Sequence, residues 1–308
     1  MTQIRHRIDA AGVRAARKVH MQKKLRDLEA MLAAPRAREE NTKMPVLFVG
    51  HGSPMNAIED NDVSRMWARV GASLPPPRAI LCVSAHWESR GTWVTAMPKP
   101  RTIHDFGGFP RELFEAQYPA PGSPELAQET HDVVKMAEVY FDHSEWGLDH
   151  GCWSVLNKMF PAADIPVVQM SLDVGLHPRE HMALAQELAA LRRRGVLILG
   201  SGNMVHNLRR ITLPPGATEG FNTRYGLDWA LEARETFKTL IDGGRFDRLA
   251  EYDSLGRAVQ LAVPTPEHYL PMLYSLGLKD DGDDITYFND YAMAGSLTMT
   301  SMIIGEAA

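Results

Sequence analysis

The sequence predicts a single α/β domain in which a mostly parallel central sheet is flanked by helices, with a helical extension at the N-terminus. Three observations lead there. From Met44 onward, short apolar runs alternate with helical patterns, the order expected when helices cross between parallel strands. The runs at 46–49, 79–84, 165–171 and 196–201 are almost wholly apolar, as in strands buried on both faces. No internal repeat and no linker divides residues 44–308.

Val46-Leu47-Phe48-Val49 is the first strand, and it stops on Gly50-His51-Gly52-Ser53-Pro54-Met55-Asn56. Glycine on both sides lets the backbone turn sharply and leaves the His51 imidazole unobstructed. The carboxyl end of a central strand is where open α/β sheets hold their ligands. The plainer alternative is a turn in which His51 only hydrogen-bonds a carbonyl. A helix near 60–74, closed by Pro75-Pro76-Pro77, leads to the second strand, which ends on Ala85-His86-Trp87. Residues 93–97 form another strand. A long loop at 102–124, rich in Gly, Pro and aromatics, follows; structureless loops of that length are often functional. A helix at 124–139 leads to Gly147-Leu148-Asp149-His150-Gly151-Cys152-Trp153, a loop opening a further helix. After the strand at 165–171, a helix runs to Arg194, and the strand at 196–201 opens onto Gly202-Asn203-Met204-Val205-His206-Asn207. Helices at 225–241, at 246–252 and from about Glu267 precede a tail of β-structure at 285–288 and 297–304.

Residues 1–43 carry eleven Lys/Arg against five Asp/Glu, a net of +6, so the rest must be −11 to reach the overall −5. This basic extension reads as a helix over 10–34 with sparse apolar positions at Val13, Val19, Leu25, Leu28 and Leu32, closed by Pro35. A packing arm, a partner-binding helix and a solvated extension all fit it, and Met44 is an alternative start. The net charge gives no reason to expect nucleic acid or an anionic membrane as partner. No apolar run approaches the ~20 residues of a membrane span, and no secretory segment opens the chain. Cys82 and Cys152 lie in apolar segments, as reduced, packed thiols do. A cytoplasmic protein is expected, and a homo-oligomer is compatible with it. The 16 methionines are scattered and read as core filler.

Three core strands end on a histidine-bearing segment, at His51, at His86 and, after Gly-Ser-Gly, at His206. At one edge of one sheet their imidazoles would meet, and neutral imidazole is a common ligand for Zn and Fe. Three separately satisfied histidines are the plainer reading. His268 lies in Pro264-Thr265-Pro266-Glu267-His268-Tyr269-Leu270-Pro271, where two prolines stiffen the approach to a residue needing a fixed position. His177 and His181 have the i, i+4 spacing of a helical metal pair, yet read as a solvated helix start. His6, His20, His131 and His143 are expected to be exposed. His104 and Asp105, with Phe106, Phe109 and Tyr118, are candidates for a pocket lid. Arg224 and Tyr225 are candidates to contact a substrate carboxylate.

Gly-His-Gly-Ser-Pro-Met-Asn, Ser-Ala-His-Trp, His-Asp-Phe-Gly-Gly-Phe-Pro, Gly-Leu-Asp-His-Gly-Cys-Trp, Gly-Ser-Gly-Asn-Met-Val-His-Asn-Leu and Pro-Thr-Pro-Glu-His-Tyr-Leu-Pro, in this order, resemble the 4,5-DOPA extradiol dioxygenase family. That family belongs to the class III, protocatechuate 4,5-dioxygenase-like extradiol enzymes, and the resemblance runs from Met44 to the C-terminus. It implies His51, His86 and His268 as metal ligands. It implies His206 as the acid/base, or a fourth ligand in zinc-loaded members, and His150 as a histidine lining the pocket. It implies Fe(II) as cofactor, with Zn(II) as the alternative, and a small catechol plus O2 as substrates. His104, Asp105, Phe109 and Tyr118 are the expected substrate-binding residues.

Three ligands on one face of an octahedral ion leave positions for both catechol oxygens and for dioxygen. The usual non-heme triad is two His and one carboxylate. An all-His site stays at +2 before substrate and accepts zinc readily. Glu267 is the alternative third ligand, although sequence neighbours seldom point the same way. The competing functions are a Zn-dependent hydrolase using the same site, with metal-bound water as nucleophile, and a non-enzymatic Memo-like binding protein on a related fold.

Overall fold

The computed structural model describes residues 10–33 and 43–305. Pro35, His6 and the side chains of Val13 and His20 lie outside the described residues. The strands are β1 (Val46–Gly50), β2 (Ala79–Ser89), β3 (Thr92–Thr95), β4 (Val139–Asp142), β5 (Val167–Asp173), β6 (Val196–Gly202), β7 (Asp284–Phe288), β8 (Ala292–Met293), β9 (Leu297–Thr298) and β10 (Ser301–Gly305). The helices are α1 (Ala10–Ala33), α2 (Asp62–Ser73), α3 (Arg111–Glu115), α4 (Pro124–Val133), α5 (His150–Met159), α6 (Pro178–Glu187), α7 (Ala189–Arg193), α8 (Asp228–Asp242), α9 (Phe246–Leu249), α10 (Arg257–Ala262) and α11 (Leu270–Gly277).

Eight strands make one sheet in the order β4-β3-β5-β2-β6-β1-β10-β7, while β8 and β9 pair separately. The central β5, β2, β6 and β1 run parallel, and β10, β7 and β3 join antiparallel to their inner neighbours. The predicted single α/β domain with a mostly parallel sheet is therefore the observed fold. Alternation along each strand splits the core between the two faces of the sheet. Val46, Phe48, Leu81, Val83 and Ile198 pack with the side chains of α8, α10 and α11. Leu47, Val49, Ile80, Cys82 and Leu199 pack on the other face with α2 and α5. Cys82 and Cys152 are free and buried, as expected.

Several elements differ from the sequence reading, and each difference has a non-local cause. The expected helix over 124–139 stops at Val133, because Val139–Asp142 pair in parallel with β3. Local periodicity cannot report that partner. The loop at 102–124 contains the short α3, and α10 was not foreseen at all. The tail does not run straight from 297 to 304: it turns back as the β8–β9 hairpin and re-enters the sheet as β10.

The N-terminal helix is docked rather than free. Leu28 is buried, Met31 and Leu32 pack beside it, and Lys24 lies 2.6 Å from Asp242 and 4.6 Å from the centre of the Tyr287 ring. Val19, Met21 and Leu25 remain exposed. Just before the starts of β1, β6 and β7, buried Arg192 donates to Asp283 at 2.6 Å, to Leu278 O and to Met44 O, and Lys43 also reaches Asp283 at 2.8 Å. Burial pushes the Asp283 carboxyl up, but Arg192 and Lys43 outweigh it and hold the group well below the usual carboxylate range. Among the described residues, no helix is long and apolar enough to cross a membrane.

Candidate metal centre

The strand order β2-β6-β1 puts the ends of three adjacent parallel strands side by side, and His51, His86 and His206 come from there. His51 directly follows β1. Its N–H donates to Gly202 O at 3.1 Å and its carbonyl accepts from Asn56 at 3.1 Å, so its backbone is pinned on two sides. His86 does not sit on a loop. β2 continues through it to Ser89, with a register shift against β5 between Val83 and Glu88 that turns this part of the strand. His268 reaches the site from the far end of the chain because β6 ends on a glycine. Asn203 N donates to His268 O at 2.8 Å, and a Cβ on Gly202 would fall 2.2 Å from that same oxygen. Such close backbone approach is open only to glycine.

One ligand atom from each of His51, His86 and His268 lies within 4.8 Å of the other two. The Nε2 atoms of His51 and His86 are 3.2 Å apart. His206 stacks on His268 with ring centroids 3.5 Å apart and planes 8° from parallel. On the other side, the His150 ring lies 3.9 Å from that of His86. The five histidines the sequence singled out therefore form one cluster.

Each of the three converging imidazoles has an oxygen behind its Nδ1. For His51 it is Ser201 Oγ at 3.0 Å, for His86 it is Asp105 Oδ2 at 3.4 Å, and for His268 it is Glu267 Oε1 at 3.1 Å. A ligand histidine commonly donates its second N–H to such a group, which fixes its tautomer and heading. Asp105 also lies 2.9 Å from His150 Nδ1 and accepts the His150 backbone N–H at 2.9 Å. Two carboxylates thus stand directly behind the imidazoles. This revises the expectation of a centre without charge compensation. Glu267, weighed as a third ligand, accepts from Thr265 and faces the Nδ1 side of His268.

Burial drives the His51 and His268 imidazoles well below their ordinary pKa, and their histidine neighbours lower them further. Burial, with His150 adding to it and Asp105 opposing, lowers His86 to about 3. Burial lowers His206 to about 4 against the pull of Glu267. At neutral pH these are uncharged rings. Burial pushes the Asp105 carboxyl up, yet His150 and His86 beside it bring it below its usual value. The residues fit a divalent ion: with the Nδ1 atoms turned to acceptors, the bare Nε2 lone pairs of His51 and His86 face each other, an arrangement a cation relieves.

Not every expected residue joins the cluster. His104 donates to Ala116 O at 2.8 Å and packs against Phe106 and Trp153, which anchors the loop. Tyr118 is buried with its hydroxyl on Phe160 O, so that hydroxyl is not offered to a ligand. Phe109 packs on Phe106, whose ring meets His150 edge-on at 5.5 Å. Arg224 pairs with Asp62 and covers the Tyr291 ring, and is already engaged. His177 caps α6, as a helix-start residue does. His181 corrects the expectation of a solvated pair: it is buried, 3.0 Å from the Tyr274 hydroxyl, because α6 packs this face against α11. His143 is exposed and His131 partly so.

Sequence reasoning missed the supports beneath the cluster. Asp149 caps α5 and accepts from Cys152 N, Ser84 Oγ and Gln169 Nε2, tying α5 to β2 and β5. Burial and nearby Asp105 raise its carboxyl to about 6 against those hydrogen bonds. An Asp directly before a predicted helix was a legible capping signal. The partners Ser84 and Gln169 were not legible.

The family described as the catalytic LigB subunit of aromatic ring-opening dioxygenase matches residues 43–295, and the chain belongs to it. A 4,5-DOPA dioxygenase extradiol of Escherichia coli K12 is 47% identical over 269 residues, covering 86% of this chain and 96% of that protein. One of Beta vulgaris with the same name is 36% identical over 245 residues, 78% of this chain and 88% of its own. The crystal structure of an uncharacterized Escherichia coli K12 protein superposes with a TM-score of 0.72 at 40% identity, covering 85% of this chain and all (100%) of that one. Ring-opening dioxygenases are thus the class of enzyme to which this chain belongs.

Proposed function

We propose that this protein is an Fe(II)-dependent extradiol dioxygenase that opens the ring of a substituted catechol, DOPA-like or caffeate-like, with both atoms of O2 entering the product. The observation that carries the reading is the convergence of the His51, His86 and His268 ligand atoms within 4.8 Å, two of them with Nε2 atoms 3.2 Å apart. The names of the relatives from Escherichia coli and Beta vulgaris support the same substrate class.

In this reading His51, His86 and His268 hold the ion. The chemistry it supplies when bound is polarisation of both catechol oxygens and a change of oxidation state, which Fe(II) offers and Zn(II) does not. His206, an uncharged imidazole stacked on a ligand ring, takes the catechol proton and returns it as the ring opens; a general base must lie within hydrogen-bond reach of the group it deprotonates. His150, backed by Asp105, lines the substrate side of His86. Phe106 and Phe109 form the apolar wall against the ring. The catalytic unit is residues 44–308, and residues 1–43 are a basic extension joined to it by Lys43 and α1.

The test is anaerobic reconstitution with Fe(II) or Zn(II), then a catechol panel followed by oxygen uptake and absorbance. The iron form should consume O2 and give a yellow ring-opened semialdehyde, and the zinc form should bind the same catechol without turnover. Oxygen uptake by neither form, or equal turnover by rigorously iron-free zinc protein, overturns the proposal.

A further inference from the structure

We infer that Ser201 is a positioning residue for the metal centre, holding His51 in the tautomer whose Nε2 is bare and tying that ligand to the helix turn that carries His150. The inference rests on the metal-centre reading above. Ser201 Oγ donates to Gly151 O at 2.5 Å, which uses its single proton. The same oxygen lies 3.0 Å from His51 Nδ1, so this contact requires the imidazole to be the donor. His51 therefore carries its proton on Nδ1, and Nε2, facing His86 Nε2 at 3.2 Å, keeps its lone pair.

The residue must both give and accept a hydrogen bond in a space closed to water. Ser201, His51 and Gly151 are all buried. Ser201 sits in the middle strand of the three, level with Val49 of β1 and Ser84 of β2, so its hydroxyl can reach the end of β1 and the first turn of α5 together. That turn is itself fixed: a Cβ on Gly151 would lie 2.5 Å from Ser84 Oγ and 2.9 Å from His86 Cδ2. Ser84 donates to Asp149, the residue that caps α5. Movement of α5 relative to β6 would thus be felt at His51 through Ser201 and at His86 through direct contact. Ser201 touches neither substrate nor ion in this arrangement; it acts through His51.

The full-length chain labelled with 15N-histidine tests this with Zn(II) as a diamagnetic probe. In metal-free wild type, the His51 ring, assigned by its loss in His51→Ala, should show a protonated Nδ1 and an unprotonated Nε2. In Ser201→Ala that preference should weaken. Zn(II) affinity, measured against a competing chelator, should fall about 10- to 100-fold, as for other outer partners of ligand histidines, with cooperative unfolding retained. Failure of wild type to bind Zn(II) would count against the metal reading and leave the tautomer measurement standing on its own. A wild-type His51 protonated on Nε2, or a Ser201→Ala protein with unchanged tautomer and unchanged Zn(II) affinity, overturns the role of Ser201.

Discussion

Replacing Gly202 with alanine should cripple the site without touching any of its side chains. The added Cβ would stand 2.2 Å from His268 O, whereas ordinary contact begins at 3.4 Å, so something must yield by 1.2 Å (3.4 − 2.2). The obstacle is a backbone carbonyl with no flexible end, and it belongs to a proposed metal ligand. That carbonyl also accepts from Asn203 N at 2.8 Å, so the segment cannot retreat without losing the bond. Overpacking of this kind costs about 1–3 kcal/mol. A displacement of roughly 1 Å at a reacting constellation costs on the order of 100-fold in rate. The chain should still fold, with a lower unfolding midpoint, weaker metal retention and turnover down by about two orders of magnitude. Urea unfolding, metal content after gel filtration and oxygen uptake read the three quantities separately. Gly107→Ala is the control: nothing lies within 4 Å of its Cβ position, and its stability should stay within about 0.5 kcal/mol of wild type. Wild-type metal content and turnover in Gly202→Ala would refute the claim that this contact places His268.

His206→Ala should keep its metal while turnover falls about 10²-fold or more, as expected for a general acid–base group; metal loss measured by elemental analysis would make it a fourth ligand instead. Asp283→Asn should cost about 3–5 kcal/mol in chemical unfolding, because it leaves buried Arg192 without its counter-charge. The Asp283 carboxyl is held below its unfolded pKa, so its stabilisation is present above that value and lost as pH falls through the folded one; the variant should lack this acid limb. Burial lowers His181 from 6.5 to about 4, so the unfolded chain binds that proton more readily between the two values. Its contribution is complete above pH 6.5 and is lost as pH falls toward 4, and His181→Gln should flatten that part of the stability–pH curve. Deleting residues 1–42 keeps Lys43 on Asp283 but uncovers the patch under Leu28, and should give a folded, metal-binding protein with raised self-association by light scattering.

Much of this protein was legible in its residues. Buried parallel strands announce themselves as continuous apolar runs, because both faces are covered and no alternation is demanded. β1 and β6 were therefore readable almost to the residue, β2 in its first half, and β5 in all but its last two residues. The glycine–histidine ends of those runs carried the chemistry, and the order of six short motifs carried the family. What local pattern could not hold were relations between distant segments. Val139 reads as the end of a helix until β3 is beside it and it opens β4 instead. His181 reads as the exposed partner of His177 until α11 covers it. Asp105 reads as part of a lid, and only the folded chain sets it between His86 and His150. Ser201 lies inside the Gly-Ser-Gly motif, yet its use depends on Gly151, 50 positions away in sequence. Residue type and spacing determined which groups can bind a metal. The packing of α5 and of the segment before α11 onto three strand ends decided where each imidazole points, because hydrogen-bond geometry is satisfied in space and leaves no periodic trace along the chain.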